Sequence, residues 1–124
     1  MDELFSREGY LLMGAAFEVY NDLGHGFLED VYQESLEKEL TARGIPFQTK
    51  PGLQIRYKGE PLQQQYFPDL VVYSGIVAEL KAVQQLGKEH EAQLLNYLKA
   101  SRMKVGYLIN FGSAGGLEWK RMVL

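Results

Sequence analysis

Three charged residues, Asp69, Glu79 and Lys81, interrupt two runs of otherwise apolar residues in the middle of the chain. The runs, at 66–73 and 76–83, are typical of adjacent β-strands. Charged side chains are rarely buried unless they are paired or bound to a metal ion. Because alternate residues of a strand share a face, Glu79 and Lys81 point to the same side of the sheet. If Asp69 lies alongside them, this face can hold a divalent cation and a water molecule beside a phosphate.

The periodicity of the sequence predicts a mixed α/β (α+β) fold in the order α-α-β-β-β-β-α-β-β. A helix between the strands at 76–83 and 104–111 makes a crossover, so we predict that these two strands are parallel. We predict helices at about 6–22, 27–43 and 88–101, and strands at 47–49, 53–57, 66–73, 76–83, 104–111 and 117–123.

The length of 124 residues suffices for one hydrophobic core, so we predict one domain spanning 1–124. A hydrophobic fraction of 46% is typical of a globular protein. No apolar run is long enough to cross a membrane, and the acidic start, Met1 to Phe5, is unlike a secretory signal. The chain has no cysteine, which excludes disulfides and thiolate metal sites and favours a cytoplasmic location.

The loop between the strands at 66–73 and 76–83 decides whether the charged groups meet. A two-residue turn pairs Asp69 with Leu80 and leaves Asp69 on the face opposite Glu79. A three-residue loop centred on Gly75 pairs Asp69 with Lys81 and places all three charged groups on one face. A shared site therefore requires an odd loop or a bulge.

Two carboxylates and a lysine at one spot suit phosphodiester chemistry. Carboxylates are hard oxygen ligands for Mg²⁺ or Mn²⁺, and a bound cation acidifies a water and stabilises charge on phosphate. Lys81 would orient the attacking water or neutralise developing charge. The alternative is that Glu79 and Lys81 form a solvated pair on a strand and that Asp69 only begins one.

Further polar residues lie on the helices. Glu29 lies on the apolar stripe of the second helix and Glu18 flanks that of the first, although either could be a surface glutamate. Gln93 and Tyr97, four residues apart on the third helix, share a face, and His90 lies one turn earlier. Gln93 could contact a metal-bound water or a phosphate, whereas the alternative is a solvated Gln93 and a packed Tyr97.

Several motifs resemble those of a known family. The combination resembles the PD-(D/E)XK nuclease superfamily, its RecB-like branch, and the GxxExxY proteins within it. The resemblance implies a restriction-endonuclease-like mixed sheet flanked by helices. It also implies that a helix carboxylate joins the metal site, Glu29 before Glu18. The motifs are Pro68-Asp69 with Glu79-Leu80-Lys81, Gln93-x-x-x-Tyr97, and Gly26-x-x-Glu29-x-x-Tyr32.

The leading hypothesis is therefore a nuclease dependent on Mg²⁺ or Mn²⁺, acting on nucleic acid, with DNA preferred to RNA. The net charge of −3 counts against tight nucleic-acid binding by a monomer. It favours the alternative of a catalytically silent module that binds nucleic acid or a protein. The sequence also leaves open that the chain forms a homodimer. We expect the following roles: catalysis by Asp69, Glu79, Lys81 and Gln93, metal binding by Glu29, Asp69 and Glu79, and substrate contacts by Tyr32, His90 and Tyr97.

Overall fold

The computed structural model describes residues 4–124 as three helices and seven strands. The order of elements is α-α-β-β-β-β-β-α-β-β, with one more strand before the third helix than the sequence predicts. The helices are α1 (Ser6–Leu23), α2 (Glu29–Ala42) and α3 (Lys88–Ser101). The strands are β1 (Phe47–Thr49), β2 (Leu53–Tyr57), β3 (Glu60–Tyr66), β4 (Leu70–Val72), β5 (Ile76–Lys81), β6 (Val105–Asn110) and β7 (Glu118–Val123).

The predicted strand at 66–73 is wrong as a single element. Its first residue, Tyr66, ends β3, and its later residues form β4, so the strand is broken at Phe67, Pro68 and Asp69. Pro68 has no backbone N–H to donate to a ladder and favours an interruption. The polar run at 60–65, which lacks a period of two, nevertheless pairs with β2 as an exposed strand.

Five strands form a mixed sheet in the spatial order β1-β4-β5-β6-β7, and β2 and β3 form a separate two-stranded sheet. The parallel pairing of β5 with β6 through α3 is confirmed. The other neighbours in the large sheet are antiparallel. This mixed sheet flanked by helices confirms the predicted fold class.

The two faces of the large sheet are covered by different helices. One apolar core lies between the sheet and helices α1 and α2, and a smaller core lies between the sheet, α3 and the β2–β3 hairpin. Strand alternation explains the division: Ile76, Ala78 and Leu80 belong to the first core, and Val77 to the second. Glu79 and Lys81 follow the period of Val77 and therefore lie on the α3 side. No helix within residues 4–124 is long and apolar enough to cross a bilayer.

The loop between β4 and β5 has three residues, Tyr73 to Gly75, as a shared site requires. Tyr73 and Ser74 adopt positive φ angles of 55° and 58°, and the Gly75 N–H closes the turn onto Val72 O at 3.2 Å. The predicted centre of the loop is wrong by one residue, because Val72 pairs with Ile76, whereas a loop centred on Gly75 would pair it with Ala78. Continuing this register places Asp69 opposite Glu79.

Candidate active site

Asp69 and Glu79 are tied to each other's strand by two hydrogen bonds. The backbone N–H of Asp69 donates to Glu79 Oε1 at 2.8 Å, and the backbone N–H of Leu80 donates to Asp69 Oδ2 at 2.7 Å. The second oxygen of each carboxylate takes no part in these bonds. The two acids therefore sit side by side, Asp69 just before β4 and Glu79 on β5, with one oxygen of each fixed by a backbone N–H.

Burial makes both carboxylates unusually reluctant to ionise. Desolvation, followed by the charge of Asp69, raises the pKa of Glu79 from 4.5 to about 7. Desolvation also raises the pKa of Asp69. Two partly buried anions side by side repel each other, so the site attracts either protons or a cation.

Lys81 lies on the same face, two residues beyond Glu79, and is half-buried. Its charge lowers the pKa of both carboxyl groups, although burial outweighs this effect. Among residues 4–124, Lys81 forms no ion pair with either acid. The Lys81 ammonium group thus influences both acids through its charge without forming a direct ion pair with either.

The structure adds three residues that sequence reasoning missed: Asp30, Gln33 and Lys50. Gln33 Nε2 and the Lys50 N–H both donate to the backbone carbonyl of Asp69, at 3.0 and 3.1 Å. The charge of Lys50 lowers the pKa of Asp69 and that of Asp30 raises it. One signal was available, since Gln33 follows Tyr32 on a helix face that is otherwise apolar.

Tyr66 and Tyr97 form a stacked pair next to Glu79. Their ring centroids are 4.1 Å apart with an interplanar angle of 9°. Burial, followed by the negative charge of Glu79, raises the pKa of the Tyr66 hydroxyl. This hydroxyl interacts electrostatically with Glu79, but the geometry falls short of a hydrogen bond. Tyr97 therefore reaches the acids through Tyr66.

Three other predicted site residues, Gln93, Glu29 and Glu18, are exposed on the helices. Gln93 is exposed on α3 and lines a shallow cavity with Ile55 and Tyr97. Glu29 is exposed in the first turn of α2, and the adjacent Asp30 is the α2 acid whose charge reaches Asp69. Glu18 is exposed and lines a groove between α1 and α2.

Tyr32 lies in the core and not in a pocket. Its side chain is 0% exposed and stacks on Phe111, with ring centroids 4.7 Å apart. Its hydroxyl donates to Gly24 O at 2.6 Å and accepts from the Phe27 N–H at 3.2 Å. This buried position contradicts the expected substrate contact. Tyr32 instead holds the loop between α1 and α2 through these two hydrogen bonds.

His90 caps the start of α3. Its Nδ1 accepts a hydrogen bond from the Gly87 N–H at 3.0 Å, so this nitrogen is occupied by the helix start and not turned toward the acids. The contact satisfies a backbone N–H that the helix itself cannot pair.

We expect His90→Ala to lower the free energy of unfolding by about 1 kcal/mol, the usual cost of a lost cap. Urea unfolding followed by circular dichroism measures this change. His25→Ala, in the exposed loop before α2, is the matched control and should unfold like the parent. An unchanged stability for His90→Ala would show that the cap contributes nothing.

Asn110 fixes the chain that follows Lys81. This fully buried residue pairs with Val83 in both directions: Oδ1 accepts from Val83 N at 3.0 Å and Nδ2 donates to Val83 O at 2.9 Å. Nδ2 also donates to Glu118 Oε1, and Oδ1 accepts from Gly112 N. The network anchors the segment between β5 and α3 and so limits the movement of Lys81.

We expect Asn110→Ala to destabilise the protein by about 3 kcal/mol, because partly buried backbone groups of Val83 and Gly112 lose their partners. Thermal and urea unfolding provide the measurement. Asn21→Ala, on the exposed surface of α1, serves as control. A loss below about 0.5 kcal/mol would contradict a structural role for the network.

The donor set at Asp69 and Glu79 fits Mg²⁺ or Mn²⁺ better than a cation that needs a full protein cage. Within residues 4–124 no group of three His, Cys, Asp or Glu residues could hold a metal ion. Mg²⁺ is usually bound through one or two carboxylates while it keeps waters and substrate phosphate oxygens. Two carboxylates with raised pKa values, each with one oxygen outside their mutual hydrogen bonds, meet that requirement.

Comparison with known proteins decides the family. Residues 6–122 match the PD-(D/E)XK nuclease superfamily. The chain belongs to this superfamily. No curated protein matches the sequence.

The chain also resembles a solved structure in its fold. The crystal structure of SSO0001 superimposes with a TM-score of 0.60 at 19% sequence identity. The match covers 76% of this chain and 48% of that chain, so the sequence spans about half the length of the solved protein. At this identity the similarity supports the fold alone.

Proposed function

We propose that the protein is a nuclease that uses Mg²⁺ or Mn²⁺ to hydrolyse phosphodiester bonds of nucleic acid. The observation that supports this most directly is the locked pair of Asp69 and Glu79, two partly buried carboxylates on one sheet face with Lys81 beside them. An ordinary stabilising ion pair would lower the pKa of Glu79, whereas burial and Asp69 raise it to about 7. Perturbed groups of this kind cluster at functional sites.

Each residue has a distinct task in this proposal. A bound cation would polarise the phosphate and acidify a water molecule. Asp69 and Glu79 hold the cation, and their backbone hydrogen bonds fix the direction of the carboxylates. Lys81 orients the attacking water and offsets negative charge that develops on the phosphate. Gln33 and Lys50 hold the carbonyl of Asp69 and so position this acid.

Two further residues remain proposed members of the site. Glu29 would complete the metal coordination from α2 and Gln93 would contact a water or a phosphate from α3. Alanine variants of each test these roles through manganese affinity and cleavage rate. The motif Gly26-x-x-Glu29-x-x-Tyr32 supports the finer proposal that the chain is a GxxExxY protein. We also propose DNA before RNA as substrate and, from the absence of cysteine, a cytoplasmic location.

The deciding experiment is a cleavage assay with purified protein. Single- and double-stranded DNA and RNA are incubated with Mg²⁺, with Mn²⁺ and with EDTA. Cleavage that requires the metal and disappears in Asp69→Asn is the expected result, with Asp22→Asn on the exposed end of α1 as the matched control. Absence of cleavage on every substrate would refute the enzymatic function.

A catalytically silent binding module is the second candidate, favoured by the net charge of −3. Calorimetric titration with Mn²⁺ separates the two: binding that Asp69→Asn removes supports the nuclease, and no binding supports the module. Sedimentation tests the proposed homodimer, which would enlarge the surface available to nucleic acid.

A further inference from the structure

The β2–β3 hairpin has one covered face and one free face. β2 packs against α3, and Leu53, Ile55 and Tyr66 contribute to the core on that side. The neighbouring side chains alternate outward into solvent. Gln54 pairs with Gln65 across the ladder. We call the following four exposed residues the outer face of the hairpin: Gln54, Arg56, Gln65 and Phe67.

Phe67 is displayed at the base of this face. The residue is 60% exposed and its ring lies over Gly52, where an added Cβ would come within 3.1 Å of Phe67 Cε1 and 2.5 Å of Gln65 Oε1. A side chain at position 52 would therefore displace both residues. Because Gly52 has no side chain, the Phe67 ring can lie over the backbone there while the residue stays exposed to solvent.

The base of the outer face adjoins the two acids. Phe67 precedes Asp69 by two residues, and the N–H of Lys50 donates to Asp69 O at 3.1 Å. Tyr66, the last residue of β3, lies beside Glu79. From Leu53 to Tyr57 the strand extends for about 13 Å, so the outer face forms a track from the hairpin tip to the acids.

The charge of this segment differs from that of the rest of the chain. Residues 50–67 contain three cations, Lys50, Arg56 and Lys58, and one anion, Glu60, in a protein of net charge −3. At the tip, Lys58 Nζ lies 5.5 Å from the centre of the Tyr57 ring. Cations interleaved with exposed aromatic rings are typical of surfaces that bind single-stranded nucleic acid.

We propose that the outer face of the hairpin binds a single strand of nucleic acid and leads it to Asp69 and Glu79. This substrate preference rests on the proposed nuclease function. The exposed ring of Phe67 can stack on a base that is unpaired, but not on one enclosed in a duplex. Reading of a duplex by a β-ribbon requires the ribbon to enter the major groove, whereas β2 packs against α3.

Fluorescence anisotropy with labelled DNA tests the proposal, in EDTA so that no cleavage occurs. The probes are a single-stranded oligonucleotide and a duplex of the same sequence. We expect the single strand to bind at least about tenfold more tightly than the duplex, and Phe67→Ala to weaken single-strand binding about tenfold. Phe67→Trp should restore it, because the ring face is kept. Arg56→Ala should lower the slope of log affinity against log salt by about 0.7.

Tyr10→Ala and Arg7→Ala on α1 are matched controls, since both residues are exposed on the helix layer across the sheet from α3. Circular dichroism melting verifies that every variant folds. Equal or tighter duplex binding, or hairpin variants that bind like the controls, would overturn the proposal, as would failure to bind either probe. If the parent cleaves nucleic acid but these variants bind normally, only the hairpin proposal falls. If they lose binding but the parent never cleaves, only the nuclease function falls.

Discussion

Glu79→Gln is expected to abolish metal-dependent cleavage and yet to stabilise the metal-free protein at neutral pH. The amide can still accept the hydrogen bond from the Asp69 N–H, so the local geometry is kept. It cannot supply a negative charge to a cation. Loss of several kcal/mol of electrostatic stabilisation corresponds to a rate roughly a thousandfold lower.

The gain in stability follows from the direction of the pKa shift. The pKa of Glu79 is raised from 4.5 to about 7 in the folded protein, so the folded state binds more protons than the unfolded chain between these values. The free energy of unfolding of the parent therefore falls as the pH rises through this interval, by at most about 3 kcal/mol. Glu79→Gln has no charge to desolvate and should lose most of this pH dependence.

Urea unfolding in EDTA at about pH 4 and pH 8 measures this effect, since these values bracket the titration. The variant should match the parent in acid and exceed it at pH 8. Glu34→Gln, which removes an exposed carboxylate of α2, is the matched control. A variant that is less stable than the parent at pH 8 would show that the charge of Glu79 is compensated in the folded protein. Manganese titration and the cleavage assay complete the comparison.

Lys81→Ala is expected to lower kcat by a factor of about 100 to 1000 with little change in KM, because the ammonium group acts on charge that develops during the reaction. The fold should persist, since Lys81 is only half-buried and ends its strand. Single-turnover cleavage with Mn²⁺ measures the chemical step.

Lys104→Ala is the matched control for Lys81, because this exposed lysine precedes β6 at the opposite end of the parallel β5–β6 pair. It should cleave at the parental rate. Lys81→Arg separates the two tasks of the residue: retained activity would indicate that positive charge alone suffices, whereas lost activity would indicate that the lysine nitrogen positions the water. Full activity of Lys81→Ala would remove this residue from the mechanism.

The pairing of β4 with β5 shows what the pattern of the sequence could predict and what it could not. Parity along the strands showed that Asp69, Glu79 and Lys81 can share a face only with an odd loop, and the loop from Tyr73 to Gly75 has three residues. The pattern could not locate the centre of the loop, because Tyr73 and Ser74 adopt positive φ angles that are unusual for residues other than glycine. Only the hydrogen-bonded ladder places Asp69 opposite Glu79.

The residues on the helices show what helical spacing cannot predict. Helical spacing places Tyr32 on the inner face of α2, but it cannot tell whether that face meets a pocket or the core, where Tyr32 lies. Similarly, the resemblance to the superfamily favoured Glu29, whereas in the fold the charge of Asp30, the next residue of α2, acts on Asp69. His90 was expected near a pocket, and a local hydrogen bond to Gly87 holds it at the helix start.

By itself the sequence determined the resemblance to the superfamily, the combination of helices with a mixed sheet, and the condition, an odd loop, under which two acids and a lysine share a face. These properties depend on residue type and on the side-chain periods of two residues in strands and 3.6 residues in helices. Both are local along the chain. The tertiary structure alone decided which further groups surround the acids: Gln33 comes from α2, Lys50 from the loop between β1 and β2, and Tyr66 from β3. Burial of the carboxylates, and hence the raised pKa of Glu79, also arises only when those elements pack and exclude water.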